Sequence, residues 1–154
     1  MNFGINLKTL REINNISQIY IAKLLNIDNS LYAKYEKEIQ IIPLKHLNTI
    51  CNYYNVSIDY IFNFNSCIQY KNNIHDINNK EVGKRLKEFR KNNKITQNKL
   101  AIILNTTQSV IAGYESGRRL ISTPFLYTIC KKYNISADYL LGKIDTPKYL
   151  DKKN

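Results

Sequence analysis

The chain has few cysteines and histidines, the residues that commonly bind metals or form the disulfides of small folds. It has three cysteines, one of them at position 67 between two otherwise similar segments, and two histidines, His46 and His75, without ligand partners at metal-binding spacing. This arrangement predicts no disulfide framework, no metal site and no cofactor. Cys51 and Cys130 fall in apolar helical stretches, so we expect both to be buried core residues.

Glycine, proline and tryptophan are also scarce, with five, three and none in 154 residues. The sequence shows no glycine-rich phosphate loop, no nucleophile–base pair and no paired carboxylates, so it predicts no enzyme and no catalytic residues. It contains no apolar run long enough to span a membrane and no signal peptide. We therefore expect a cytoplasmic protein that does not insert into a membrane.

Acidic residues are few, twelve against 23 lysines and arginines, which gives a net charge of +11. Such a charge favours a polyanionic partner, the alternative being simple solubility. The charge is also uneven. Residues 1–79 have seven basic and six acidic side chains, a net charge of +1, whereas residues 80–154 have sixteen and six, a net charge of +10.

What the sequence does contain is a long internal repeat. Residues 4–63 match residues 83–142 without a gap, at an offset of 79 positions. This period is too long for a solenoid and predicts a duplicated small domain. We expect a first domain (residues 1–63), a linker (64–80), a second domain (81–146) and a basic tail (147–154).

Apolar residues at helical spacing predict five helices in each copy and no strand. In the second copy the first helix spans Glu81 to Asn92, and Thr96, Thr107 and Ser136 stand where N-caps of later helices are expected. Two short helices joined by residues 105–107, with the small Ala101 at their packing contact, form a helix-turn-helix pattern. The predicted fold class is therefore all-α.

The complete five-helix pattern resembles the Cro/C1-type (phage-repressor-like, XRE-type) helix-turn-helix family. The resemblance covers everything except the linker and the tail, and it occurs twice. It implies two tandem five-helix, lambda-repressor-like DNA-binding domains. In the second copy the residues that carry it are Leu86–Arg90, Ile95–Gln97, Leu100–Ala101, Thr107–Ile111, Tyr114–Gly117 and Ile135–Gly142.

The resemblance places the third helix of each copy in the DNA major groove. For the second copy it implies base contacts from the start of that helix, where the Gln108 amide can pair with adenine. Gly113 stands where relatives often have a longer side chain. The implied base-contacting residues are Thr107, Gln108, Ser109 and Gly113, and the implied phosphate contacts are Gln97, Arg118 and Arg119.

The first copy keeps the scaffold and changes the residues that would face DNA. Asp28 at the start of its third helix would repel phosphates, and Ile39, Ile41 and Ile42 form an apolar cluster, part of which exceeds what a core needs. The candidate base contacts of this copy are Asn29, Ser30 and Lys34, and its candidate phosphate contact is Gln18.

An arginine and a glutamate recur at a separation of 25 residues in both copies, as Arg11 with Glu36 and Arg90 with Glu115. In the related family this pair ties the first helix to the third. We therefore expect both pairs to be structural and not to contact DNA.

These observations predict a sequence-specific regulator of transcription that binds double-stranded DNA, a repressor of a bacterium, phage or mobile element, with the second domain as its main DNA reader. An antitoxin-like autoregulator is one alternative. A protein-interaction module whose first domain has lost DNA binding is another. Two assemblies stay open: a homodimer formed through the first domain, or a pseudo-dimer within one chain.

Overall fold

The computed structural model describes residues 1–64, 75–145 and 147, in which the chain forms two compact units. Each unit contains five helices, and no strand is assigned in the described residues, so the all-α prediction is confirmed. The first unit consists of α1 (Phe3–Ile13), α2 (Gln18–Leu25), α3 (Asn29–Glu36), α4 (Leu44–Tyr54) and α5 (Ile58–Ile61). The second consists of α6 (Asn79–Asn92), α7 (Gln97–Ile103), α8 (Gln108–Glu115), α9 (Thr123–Tyr133) and α10 (Ala137–Leu140).

Helix α6 begins two residues before the predicted start at Glu81. The cause is Asn78, whose side-chain oxygen accepts hydrogen bonds from the backbone N–H groups of Lys80 and Glu81 at 2.9 and 3.1 Å. These bonds satisfy donors that the first turn of a helix leaves unpaired. Most of the predicted linker and tail lies outside the described residues, so the domain limits stay a prediction.

Each unit closes around its own apolar core. In the first unit Leu7, Ile21 and Leu47 are at most 1% exposed, and their counterparts in the second unit are equally buried. Cys51 and Cys130 are both fully buried, as expected. Of the helices in the described residues, none is long and apolar enough to cross a bilayer.

Asparagine takes the place of glycine at most helix ends. Five positions in each unit have a left-handed backbone, and the two sets fall at the same repeat offset. Asparagine tolerates this conformation better than other residues with a side chain, which explains how a chain with so little glycine can turn so often. The ten positions are Asn15, Asn26, Glu38, Asn55 and Asn63, and Lys94, Asn105, Gly117, Asn134 and Gly142.

A glycine near the start of α1 and of α6 sets how closely these helices approach the third helix of their unit. A Cβ atom at Gly83 would overlap the backbone oxygen of Tyr114, and one at Gly4 would overlap that of Glu36. Helices α6 and α8 can therefore cross in backbone contact. This crossing fixes the position of α8 in the second unit and of α3 in the first.

Candidate nucleic-acid interface

Helices α7 and α8 form a helix-turn-helix in the second unit. Thr96 caps α7, because its hydroxyl accepts a hydrogen bond from the backbone N–H of Lys99 at 3.1 Å. Ala101, 1% exposed, lies inside the unit, and its small side chain lets α8 cross α7 closely. Asn105 then reverses the chain in a left-handed conformation. The same sequence of cap, small residue and turn recurs in the first unit.

The first turn of α8 is open to solvent. Gln108 and Ser109 are both exposed, as is Thr107 before them. Thr107 is the N-cap residue, as predicted, but its side chain makes no capping hydrogen bond. Its hydroxyl therefore stays available on the exposed end of the helix, next to the backbone N–H groups that favour an anion.

Behind this exposed turn lies an ion pair that joins α6 to α8. Arg90 Nη2 donates to Glu115 Oε2 at 3.1 Å, its Nε donates to the other carboxylate oxygen, and its Nη1 donates to the backbone oxygen of Ile95 at 2.8 Å. The two side chains are only 11% and 3% exposed. The pair thus faces away from solvent and holds α8 against the scaffold.

The same carboxylate is linked to the exposed glutamine through a second amide. Gln97 Nε2 donates to Glu115 Oε2 at 2.8 Å, and Gln108 Nε2 lies 3.5 Å from Gln97 Oε1, which is long for a hydrogen bond. A carboxylate only accepts hydrogen bonds, so Gln97 must turn its NH₂ group toward Glu115 and its oxygen toward Gln108. The buried carboxylate therefore fixes the orientation of the Gln97 amide, whose oxygen faces Gln108.

This orientation suits an adenine contact. Gln108 is exposed and its Nε2 has a second hydrogen, so one amide can donate to adenine N7 while its oxygen accepts from N6. Thr107, Gln108 and Ser109 thus lie together at the start of α8 beside Gln97. Gly113, the fourth residue expected to contact bases, is instead buried in the second half of the helix.

Arg118 and Arg119 follow α8 and are both exposed. Arg118 Nε donates to the Ser116 hydroxyl at 3.1 Å. The two arginines line a cleft of about 220 Å³ whose other walls come from α8. The cleft residues are Ser109, Val110, Gly113, Arg118 and Arg119.

The first unit repeats the scaffold of this site. Arg11 binds both carboxylate oxygens of Glu36, at 2.6 and 3.1 Å, and Gln18 Nε2 donates to Glu36 Oε2 at 2.8 Å. Asn29, Ser30 and Lys34 are exposed on α3, where the sequence places them. In the described residues no bond joins Asn29 to Gln18, because the asparagine side chain is one methylene shorter than that of Gln108.

The environment of Glu36 shifts its proton affinity. Burial raises the pKa of the Glu36 carboxyl, but hydrogen bonds from Arg11 and Gln18 outweigh that effect and leave the pKa below its ordinary value. The carboxylate therefore stays charged, and Arg11 keeps its partner, well into the acidic range.

Sequence reasoning missed two residues that shape the units. Glu38 stands at the position equivalent to Gly117, and its carboxylate accepts a hydrogen bond from the backbone N–H of Gly4 at 2.9 Å and so caps α1. Arg85 binds Glu81 at 2.7 Å and the backbone oxygen of Tyr139 at 2.9 Å, tying α6 to α10. The i,i+4 spacing of Glu81 and Arg85 could have revealed the ion pair between these two residues.

Elsewhere in residues 1–64 and 75–145 no group of three or more metal-ligating side chains is present.

Comparison with known protein families identifies the helix-turn-helix arrangement of the two units. Residues 7–61 match one helix-turn-helix family, and residues 83–146 match a second family of helix-turn-helix domains. The chain carries two helix-turn-helix domains in tandem. This confirms the resemblance to Cro/C1-type proteins, because the matched segments are the two copies of the repeat.

Three relatives resemble single segments of the chain. An HTH-type transcriptional regulator, ImmR of Bacillus subtilis, is 40% identical over 67 residues, which are 44% of this chain and 53% of ImmR. Antitoxin PezA of Streptococcus pneumoniae is 32% identical over 62 residues, 40% of this chain and 39% of PezA. The HTH-type regulator YobD of Bacillus subtilis is 33% identical over 63 residues, 41% of this chain and 56% of YobD. The chain thus spans about half the length of these relatives or less. No solved structure gives a significant match.

Proposed function

We propose that this protein is a sequence-specific, DNA-binding regulator of transcription, a repressor whose second domain is the main DNA reader. Two relatives are named HTH-type transcriptional regulators, and both families matched are helix-turn-helix families. The observation that carries the proposal is the exposed first turn of α8, where Gln108 is braced by Gln97 beside two exposed arginines.

The assignment to the second domain rests on a comparison of equivalent positions. Arg118 and Arg119 correspond to Ile39 and Gln40 in the first domain, and the halves of the chain have net charges of +10 and +1. Neutralising phosphates supplies most of the sequence-independent affinity for DNA. The second domain therefore has the stronger field, and it alone has the braced glutamine.

The surface of the first domain is instead rich in exposed apolar side chains. Of the large hydrophobic side chains that are exposed in the described residues, nearly all belong to this domain, and Ile102, 70% exposed, is the exception in the second. Many of these positions hold lysine, arginine or asparagine in the second domain. The exposed set of the first domain is Met1, Ile5, Ile13, Ile19, Tyr20, Leu24, Ile39, Ile41 and Tyr53.

This contrast supports a homodimer formed through the first domain. Ile42 is fully buried, whereas Ile39 and Ile41 are 69% and 55% exposed, so the predicted apolar excess lies on the surface. Two first domains in contact would present two identical second domains to an inverted repeat. A pseudo-dimer within one chain would instead require two unlike half-sites, since the two recognition helices differ.

The antitoxin-like autoregulator is a second candidate, and the similarity to Antitoxin PezA favours it. In both cases the first DNA to examine is the segment upstream of the protein's own gene. Neutralisation of a toxin would separate the two candidates.

A mobility-shift assay on that segment tests the main proposal with two matched variants of the full chain. We expect Gln108→Ala to cost roughly 1–3 kcal/mol of binding free energy and to relax the preference at one or two base pairs. Asn29→Ala, the same change in the first domain, should have a much smaller effect. Equal losses from both variants would contradict the division of labour, and a wild-type protein without sequence preference would refute the function.

A further inference from the structure

Packing does not require a glycine at position 113. Among the described residues, the one atom within 4 Å of a Cβ built there is Arg119 Cδ, at 3.9 Å, an ordinary van der Waals distance. Gly83 differs, since a Cβ there would overlap the backbone of α8. Glycine weakens the interior of a helix relative to alanine, and Gly113 is buried although a Cβ would fit there, so its presence needs a reason other than close packing of the backbone.

The stem of Arg119 occupies that space. Its backbone N–H donates to the oxygen of Gly113 at 3.2 Å, so the chain after α8 folds back onto the helix. Its Cδ then lies where a longer side chain at position 113 would stand. Ser109, on the exposed first turn, lines the same cleft. The cleft thus opens beside the base-reading end of α8.

The two arginines of the cleft are held differently. Arg118 is tied back to Ser116 through its Nε. The guanidinium of Arg119 has no hydrogen bond or ion pair within the described part of the chain, and it is exposed. All five of its N–H donors are therefore available to a ligand.

We propose that Arg119 reads a guanine in the major groove, by donating two parallel hydrogen bonds to O6 and N7, and that the missing side chain at position 113 leaves room for it. A planar guanidinium matches these two acceptors. This assigns Arg119 to base recognition, where the sequence predicted a phosphate contact. The inference rests on the proposed function. The first domain has Lys34 and Gln40 at the equivalent positions and lacks the arrangement.

Selection of random duplexes by the full-length protein, followed by sequencing, tests the proposal. We expect wild type to prefer guanine at one position and Arg119→Ala to reduce that preference roughly ten- to a hundredfold while other positions keep theirs. Arg118→Ala should weaken all sequences alike. Replacing the preferred guanine by 7-deazaguanine, which lacks N7, should weaken wild type and leave Arg119→Ala unchanged.

Two substitutions at position 113 test whether the absence of a side chain there leaves room for Arg119. Gly113→Leu should displace Arg119 and remove the same guanine preference, with no further loss in the double variant with Arg119→Ala. Gly113→Ala, whose methyl group fits at ordinary contact distance, should retain it. Circular dichroism of each variant must show wild-type helix content.

The outcomes separate this inference from the proposed function. If wild type selects no sequence, the function itself is wrong. If wild type selects a site and Arg119→Ala weakens every duplex equally, Arg119 contacts phosphate and the inference is overturned. A loss in Gly113→Leu that Arg119→Ala does not share would equally refute the link between the two residues.

Discussion

At the scale of single residues, the buried carboxylate of each domain binds two partners. Glu36 and Glu115 neutralise an arginine from the first helix, and each also receives a glutamine amide. Because the side chains of these pairs are nearly excluded from water, removing one partner leaves an unpaired charge inside the fold, which costs much more than an exposed pair gains.

The lowered pKa of Glu36 leads to a prediction on acid stability. A carboxyl with a depressed pKa in the folded state stabilises the fold above its ordinary pKa, and that contribution is lost as the pH falls through the folded value. We therefore expect the first domain to lose stability as the pH drops below about 4.5. Denaturant unfolding followed by circular dichroism between neutral and acidic pH measures this loss.

Glu36→Gln serves as the diagnostic variant. It should destabilise the first domain by roughly 3–5 kcal/mol at neutral pH, because Arg11 loses its buried charged partner, and it should flatten the acid dependence. Glu12→Gln is the control, since Glu12 lies 3.7 Å from Arg11 with a side chain that is 56% exposed. A wild-type acid profile in Glu36→Gln would show that other carboxyls control acid unfolding.

At the scale of elements, three polar side chains connect α7 to α8. The connection runs from Glu115 at the end of α8, through Gln97 at the start of α7, to Gln108 at the start of α8. A pre-oriented amide has less rotational freedom to lose when it meets a base. In the first domain, as far as residues 1–64 describe it, the side-chain hydrogen bond between the corresponding helices is the one from Gln18 to Glu36.

We expect Gln97→Ala to weaken operator binding and to lower the discrimination contributed by Gln108. In a double-mutant cycle with Gln108→Ala the effects should be less than additive, since both remove the same oriented amide. Fluorescence anisotropy on matched and mismatched duplexes measures the coupling. Gln18→Ala is the control in the first domain and should leave discrimination unchanged. Strict additivity would mean that Gln97 acts only on phosphate.

At the scale of the whole molecule, the two copies share one scaffold but differ in the residues on their surfaces. The core, the caps and the left-handed turns coincide at the repeat offset, whereas most of the exposed apolar positions of the first domain hold basic or polar residues in the second. Exposed apolar groups favour contact with protein, and exposed basic groups favour contact with phosphate. A homodimer that joins first domains uses both surfaces.

Ile39→Arg tests this assembly by installing the residue found at the equivalent position 118. The side chain is 69% exposed, so we expect the fold to persist while two chains no longer pair on an inverted repeat. Light scattering of the protein–DNA complex, with a footprint, measures the number of chains. Ile102→Arg is the control, at an isoleucine that is 70% exposed in the second domain. One wild-type chain covering two unlike half-sites would favour the pseudo-dimer.

Much of the fold followed from local signals in the sequence. Helical spacing of apolar residues, the caps at Thr96 and Ser136, and the repeat itself indicated two five-helix domains, which the structure and the family matches confirm. These features depend on residues close together in the chain, so a linear pattern contains them.

What only the tertiary structure decided are the relations between distant residues. The direction of the Gln97 amide follows from Glu115, whose carboxylate comes within hydrogen-bond distance of Gln97 only after α8 packs against α7. The stem of Arg119 lies beside Gly113 because the chain folds back after α8. Composition and spacing cannot specify such contacts, because they depend on where side chains meet once the helices have packed.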